Sequence, residues 1–207
     1  MRNIVFITLF VLSGFLAVCQ DAESIFQKGN SLSLKGKYKE ALNYVNRSLE
    51  LDSSLYQRYG FRAEIKTNLG MYESAIQDIT KCINKCTCPT RKYHVASYYL
   101  ERAELYIKKG DSQSALNDAN SSIRTNPNEW KAYVYRSKLL LANSKNAKAL
   151  SDLNKAITLD NNQAESFIMR GELLIKMGDK KAACQDFSKV LGWGFDEYEL
   201  WIKKNCQ

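Results

Sequence analysis

The sequence predicts an all-α repeat protein, and three observations carry that expectation. Turn residues are scarce: 207 residues include 10 Gly and 2 Pro, whereas an all-β sandwich or barrel needs turn signals about every 8–12 residues. From residue 22 onward the chain is self-similar at a period of 34, with Ala41 and Ala75, then Ala115, Ala149 and Ala183, spaced at that interval. Within each period, apolar residues recur at steps of three and four, which marks one face of a helix. Hydrophobic residues make up 45% and charged residues 25% of the chain, a globular balance that excludes disorder and low complexity.

The N-terminus comes first and differs from the rest. Arg2 precedes an apolar run from Ile4 to Val18, followed by Cys19 and Gln20. A basic start, a short apolar stretch and a small-residue exit describe a secretory signal peptide over 1–19, cleaved before Gln20. The run is short for a membrane span, which needs about 20 apolar residues. Leu16-Ala17-Val18-Cys19 also resembles a bacterial lipoprotein signal, which would retain Cys19 as a lipidated first residue; an uncleaved anchor is the third reading. All three predict export, to the periplasm or another envelope location. Removing Arg2 with the leader lowers the formal net charge of +8 by one. The remaining basicity favours solubility and acidic partners, without pointing to nucleic acid.

The repeats follow as an array over 22–195, in units 22–55, 56–89, 96–129, 130–163 and 164–197, with an inserted loop at 85–95. In each unit a small residue stands 12 before the period-34 alanine or its equivalent: Gly29, Ala63, Ala103, Ser137 and Gly171. Ile25, Tyr59, Tyr99, Tyr133 and Phe167 stand four before those, as large fillers beside a close helix approach. Gly36, Gly70, Gly110 and Gly178 fall between the two apolar runs of a unit, where glycine ends a helix by taking the left-handed conformation. Unit four has Ser144 instead. Each unit therefore reads as two helices joined by a tight turn. Residues 196–207, with Tyr198, Leu200, Trp201 and Ile202, read as a capping helix.

This pattern resembles the tetratricopeptide repeat (TPR) family. The resemblance implies a right-handed α-solenoid of five helix-turn-helix units, whose open end the capping helix covers. With the leader, it resembles an exported bacterial member; the Lys/Asn-rich composition and the lipoprotein-like signal favour that origin. It also implies that the first helix of each unit lines a concave groove. The residues expected there are Asn30, Leu34, Glu64, Asn68, Leu100, Glu104, Lys108, Val134, Lys138, Leu141, Ile168, Glu172 and Ile175. Apolar anchors beside fixed charges suit a peptide or protein segment, although the apolar members also suit contacts with the next unit or the cap. Family members that hold acidic chaperone tails use a basic clamp; here its positions carry Phe26, Asn30, Phe61, Ser97 and Glu101, so such a tail is not an expected ligand.

Two further patterns have structural readings. Arg62, Arg102, Arg136 and Arg170 recur with Asp78, Asp118, Asp152 and Asp186, each 16 residues later. Unit one replaces both, with Lys28 and Tyr44. That joint replacement predicts ion pairs within or between units rather than a stripe for an anionic ligand. Export permits disulfides, and antiparallel packing of the last helices brings Cys184 near Cys206, predicting a bridge; two buried thiols are the alternative. Cys82, Cys86 and Cys88 leave a packed thiol, a local disulfide or a zinc site with His94 open.

No nucleotide loop, metal-protease motif or nucleophile elbow occurs, so no enzyme, cofactor or metal is expected. The functional expectation is a non-enzymatic protein-interaction scaffold of the cell envelope with a protein or peptide partner. The alternative is a lipid-anchored structural subunit of an outer-membrane assembly. Nucleic acid is not an expected partner, and membrane contact follows only if Cys19 is lipidated.

Overall fold

Helix follows helix, without strands, through the residues that the computed structural model describes, 21–86 and 91–206. The predicted leader, Cys19 and Cys88 lie outside them. After α1 (21–34) come α2 (Tyr38–Leu51), α3 (Tyr56–Asn68), α4 (Tyr72–Lys85) and α5 (Lys92–Lys108). Then follow α6 (Ser112–Thr125), α7 (Trp130–Ala142), α8 (Asn146–Leu159), α9 (Ala164–Met177) and α10 (Lys180–Leu191). A 3-10 turn at Asp196–Tyr198 leads into the terminal α11 (Glu199–Asn205). The expected loop 85–95 is shorter than its sequence suggests. Its last four residues already belong to α5, because Val95 and Ala96 pack inward.

The period of 34 is a packing period. Ala41, Ala75, Ala115, Ala149 and Ala183 are all fully buried. At Gly171 an added methyl would stand 2.8 Å from the Phe187 ring, so only glycine lets α9 approach α10 there. The turns are built alike. The Asp179 amide donates to the Leu174 carbonyl across Gly178, and the Lys145 amide donates to Leu140 across Ser144. Ser144 adopts the same left-handed backbone (φ 56°) as the glycines do elsewhere, so unit four makes the turn despite its residue.

The chain divides into two compact bodies, Met1–Asp111 and Ser112–Gln207. In the first, Val45, Leu49, Tyr56, Tyr59, Ile65 and Cys82 form one core cluster, and Ala63, Ile76, Ile79 and Leu105 another. In the second, Leu140, Leu153 and Leu173 pack together, beside Tyr133, Val134 and Ala156. Phe167, Phe187 and Val190 meet the terminal segment: Phe187 stacks on Tyr198 at 4.7 Å and meets Trp201 edge-on at 4.9 Å. Across the same seam, from α10 to the end of α11, the sulfurs of Cys184 and Cys206 stand 2.03 Å apart.

The arginine ladder is internal wiring. Arg62, Arg136 and Arg170 each grip an aspartate of their own unit with two bonds of 2.6 and 2.8 Å: Asp78, Asp152 and Asp186. Each also donates a third bond backward to the preceding unit, to Asn46, Asn120 and Asn154. Arg102 reaches the Thr80 hydroxyl at the corresponding place. In unit one, Lys28 lies over the Tyr44 ring instead, 4.9 Å from its centre. With these guanidiniums engaged, they form no open stripe for an anion.

Candidate functional site

In the N-terminal body, α3 and α5 enclose a groove of about 490 Å³. Helical spacing builds both walls: Gln57, Gly60, Phe61, Glu64, Thr67 and Asn68 fall one turn apart along α3, as do Tyr98, Glu101, Glu104, Leu105 and Lys108 along α5. Ala63 and Ile79 lie at the base. Phe61 is held edge-on by Phe26 (5.2 Å) and Tyr98 by Tyr56 (6.1 Å). Gly60 admits Tyr98, whose ring carbon would lie 3.2 Å from any methyl placed there.

The groove has an excess of acidic groups, three carboxylates against one lysine, Lys108. Glu64, Glu101 and Glu104 face it, and among the described residues none of them is in an ion pair. Burial of its carboxyl against the groove wall, with the negative charges of Glu104 and Glu64, pushes Glu101 up to about 7. The Glu101 side chain nevertheless remains open to solvent, so its charge responds to pH and to an arriving ligand. Asn68 donates its amide to the Glu64 carbonyl of its own helix (3.0 Å). Lys108 lies over the Tyr72 ring, 5.8 Å from its centre.

Four of the expected groove residues meet here: Glu64, Asn68, Glu104 and Lys108. Asn30 and Leu100 are half-buried elsewhere in the same body, and Leu34 is 83% exposed; none of the three lines the groove. In the C-terminal body the expectation for Val134 requires correction. Val134 is buried beside Tyr133 and Ala156, because α7 presents apolar residues around most of its girth. Leu141 packs on Leu140, Leu153 and Leu173. Ile168 and Ile175 pack on the cluster that includes Tyr198, Trp201 and Ile202, so they serve the cap. Lys138 pairs with Glu165 at 2.5 Å, and Glu172 is exposed. Phe61, Tyr98 and Glu101 were missing from the expected set, although Phe61 stands three residues from Glu64, and Glu101 and Tyr98 three and six residues from Glu104, on the same helix faces.

Cys82 is a packed thiol: it donates to the Tyr56 carbonyl at 3.1 Å, and burial, with the charges of Glu101 and Asp78, pushes it up to about 12. Cys86 is buried with a free thiol, and His94 is exposed. Among the described residues, no three His, Cys, Asp or Glu side chains converge as metal ligands do. A second concavity, of about 380 Å³, contains Arg136, Lys145 and Lys148, but Asp152 and Asn120 already occupy that guanidinium.

Comparison with known proteins agrees with this architecture. The family model described as tetratricopeptide repeat matches residues 22–55, 56–84, 96–129 and 164–193. The human protein DnaJ homolog subfamily C member 3 is 33% identical over 109 residues, 53% of this chain and 20% of that protein. A tetratricopeptide repeat and J domain-containing co-chaperone of Cryptococcus neoformans is 27% identical over 104 residues, 50% of this chain and 19% of its own. The match thus spans about a fifth of the length of these relatives. Among solved structures, the C-terminal part of a TPR repeat-containing protein from Cytophaga hutchinsonii superposes with a TM-score of 0.71 at 19% identity, covering 87% of this chain and 69% of that one. YrrB, described as a TPR protein with an unusual peptide-binding site, superposes with a TM-score of 0.65 at 19% identity, covering 92% and 97%. At such identities these structures share the fold alone.

Proposed function

Because the chain belongs to the tetratricopeptide repeat family, a family of protein-interaction modules, we propose that it is a non-enzymatic scaffold of the cell envelope that holds a partner's peptide segment between α3 and α5. The observation that carries this reading is the groove itself. Its walls combine apolar surface, from Phe61 and Tyr98, with polar groups that have no ion-pair partner among the described residues. That mixture is what fixes a peptide: apolar contact supplies affinity and polar groups supply register. The relatives and neighbours support a binding role rather than a reaction, since two are described as co-chaperones or peptide binders.

The envelope location rests on the leader pattern at 1–19 alone. Among the described residues no helix is long and apolar enough to cross a membrane. Mass spectrometry of the mature N-terminus separates the alternatives. A chain starting at Gln20 supports a soluble exported protein, a lipidated Cys19 supports the anchored subunit, and retention of Ile4 to Val18 overturns cleavage.

Gln57 is exposed on the groove wall. Replacing it with Trp fills the groove without touching the core. A partner captured from native envelope extract by the wild-type chain should be lost by Gln57→Trp at an unchanged melting temperature. Undiminished capture would move the site away from α3 and α5.

A further inference from the structure

We infer that the occupant of the α3–α5 groove is a basic, extended segment of a partner protein, with a Lys or Arg side chain lying against Phe61 and Tyr98 among Glu64, Glu101 and Glu104. The inference rests on the peptide-binding reading above and adds the chemistry of the peptide.

The charge argument is local and runs against the molecule as a whole. A chain with a formal net charge of +8 repels cations on average. Yet here three carboxylates on two facing helices outnumber the one lysine, Lys108, that lines the same groove. The other cations nearby have a carboxylate partner of their own, and Lys108 packs on a ring. Arg62 and Lys66 both bind Asp78 from α4, and Lys108 sits over Tyr72. Tyr98 and Cys82, the other titratable groups beside Glu101, are both pushed upward by burial and therefore neutral. A cation entering the groove would relieve the repulsion among the three carboxylates. It would meet aromatic surface that attracts it further, as a cation does over the face of a ring. The side-chain amide of Asn68 is spent on its own helix, but among the described residues its side-chain oxygen accepts no hydrogen bond and suits a peptide N–H. Glu101 and Glu104 lie one turn apart along α5, with Glu64 on the facing α3, so an extended chain running parallel to α5 meets the first two in succession.

Glu101 makes this preference depend on pH. With a value of about 7, the group is about nine-tenths charged at pH 8 and about one-tenth charged at pH 6. Affinity for a cation therefore rises across that interval.

The test uses the full mature chain and three fluorescein-labelled 12-residue peptides of equal Ala and Leu content, carrying Lys, Gln or Glu at the same four positions. By fluorescence anisotropy, the Lys peptide should bind about tenfold tighter than the Gln peptide at pH 8, and the Glu peptide more weakly than either. The advantage should shrink several-fold at pH 6. Glu101→Gln, an isosteric change at an exposed position, should remove that pH dependence and reduce the advantage. Equal binding of the Lys and Gln peptides at pH 8, abolished by Gln57→Trp, would overturn the charge inference while leaving the peptide groove standing. Binding that Gln57→Trp leaves intact, or no binding by any of the three, would overturn both.

Discussion

Gly171 and Phe187 show how little freedom single positions have. Phe187 is fixed on one side by Tyr198 and on the other by Trp201, so its ring cannot retreat from a methyl at Gly171. Gly171→Ala should therefore destabilise the protein by about 1–3 kcal/mol despite its helix propensity, read as a lower midpoint in urea. The ladder arginines are equally committed. Removing the guanidinium in Arg136→Met would leave Asp152, 7% exposed at its side chain, without its counter-ion, at a cost of about 3 kcal/mol. The same wiring sets a response to acid. Burial pushes the Asp78 carboxyl up, but hydrogen bonds from Arg62 and Lys66 outweigh it and hold the group below its usual value. Its contribution is present above the ordinary carboxylate range of about 4 and is lost as pH falls through the lower folded value. Thermal stability should thus fall steeply below about pH 4, and less steeply in Asp78→Asn, which no longer ionises there.

At the scale of the element, turns and the cap decide how well a unit holds. The turn between α7 and α8 forces Ser144 into the left-handed region, which disfavours every residue with a Cβ except in special contexts. Ser144→Gly should raise stability by about 1 kcal/mol, a shift of a few degrees by calorimetry. The terminal α11 has only seven residues and no buried ones, too few to persist without tertiary support. Aromatic contacts and the Cys184–Cys206 seam supply it. A bridge there closes a span of 22 residues and should contribute about 3 kcal/mol in the chain-entropy description. Reductant should therefore lower the melting temperature of the wild-type chain and leave that of Cys206→Ser unchanged. A wild-type chain indifferent to reductant would show that the thiols do not pair in solution.

Across the whole molecule, most packing joins one helix to the next in sequence, and the chain resolves into two bodies with separate cores. In such arrays stability is close to a sum of local terms. Damage in one body should therefore stay there: Gly171→Ala should speed amide hydrogen exchange in α9 and α10 while α3 and α4 keep wild-type protection. Uniformly faster exchange would show that the chain opens as one cooperative unit.

The period of 34, the alanines, the turn glycines and the Arg–Asp pairs determined the helices and their pairing, because each unit repeats one local packing problem and prints its solution in the sequence. Even Ser144 was legible as an exception, though not the fact that its backbone would comply. The site was only half legible. Glu64, Asn68, Glu104 and Lys108 could be chosen because a first-helix position points to one side of a unit. Whether that side is open depends on neighbours distant in sequence. Val134 disappeared into a core, and Ile168 and Ile175 went to the cap, although their helical positions match those of groove residues. Conversely, Tyr98 and Glu101 became groove residues because α3 and α5 stand apart enough to leave a space between them. Tertiary structure alone decided this, since a side chain's exposure and the pKa of its carboxyl depend on what the folded chain places opposite it.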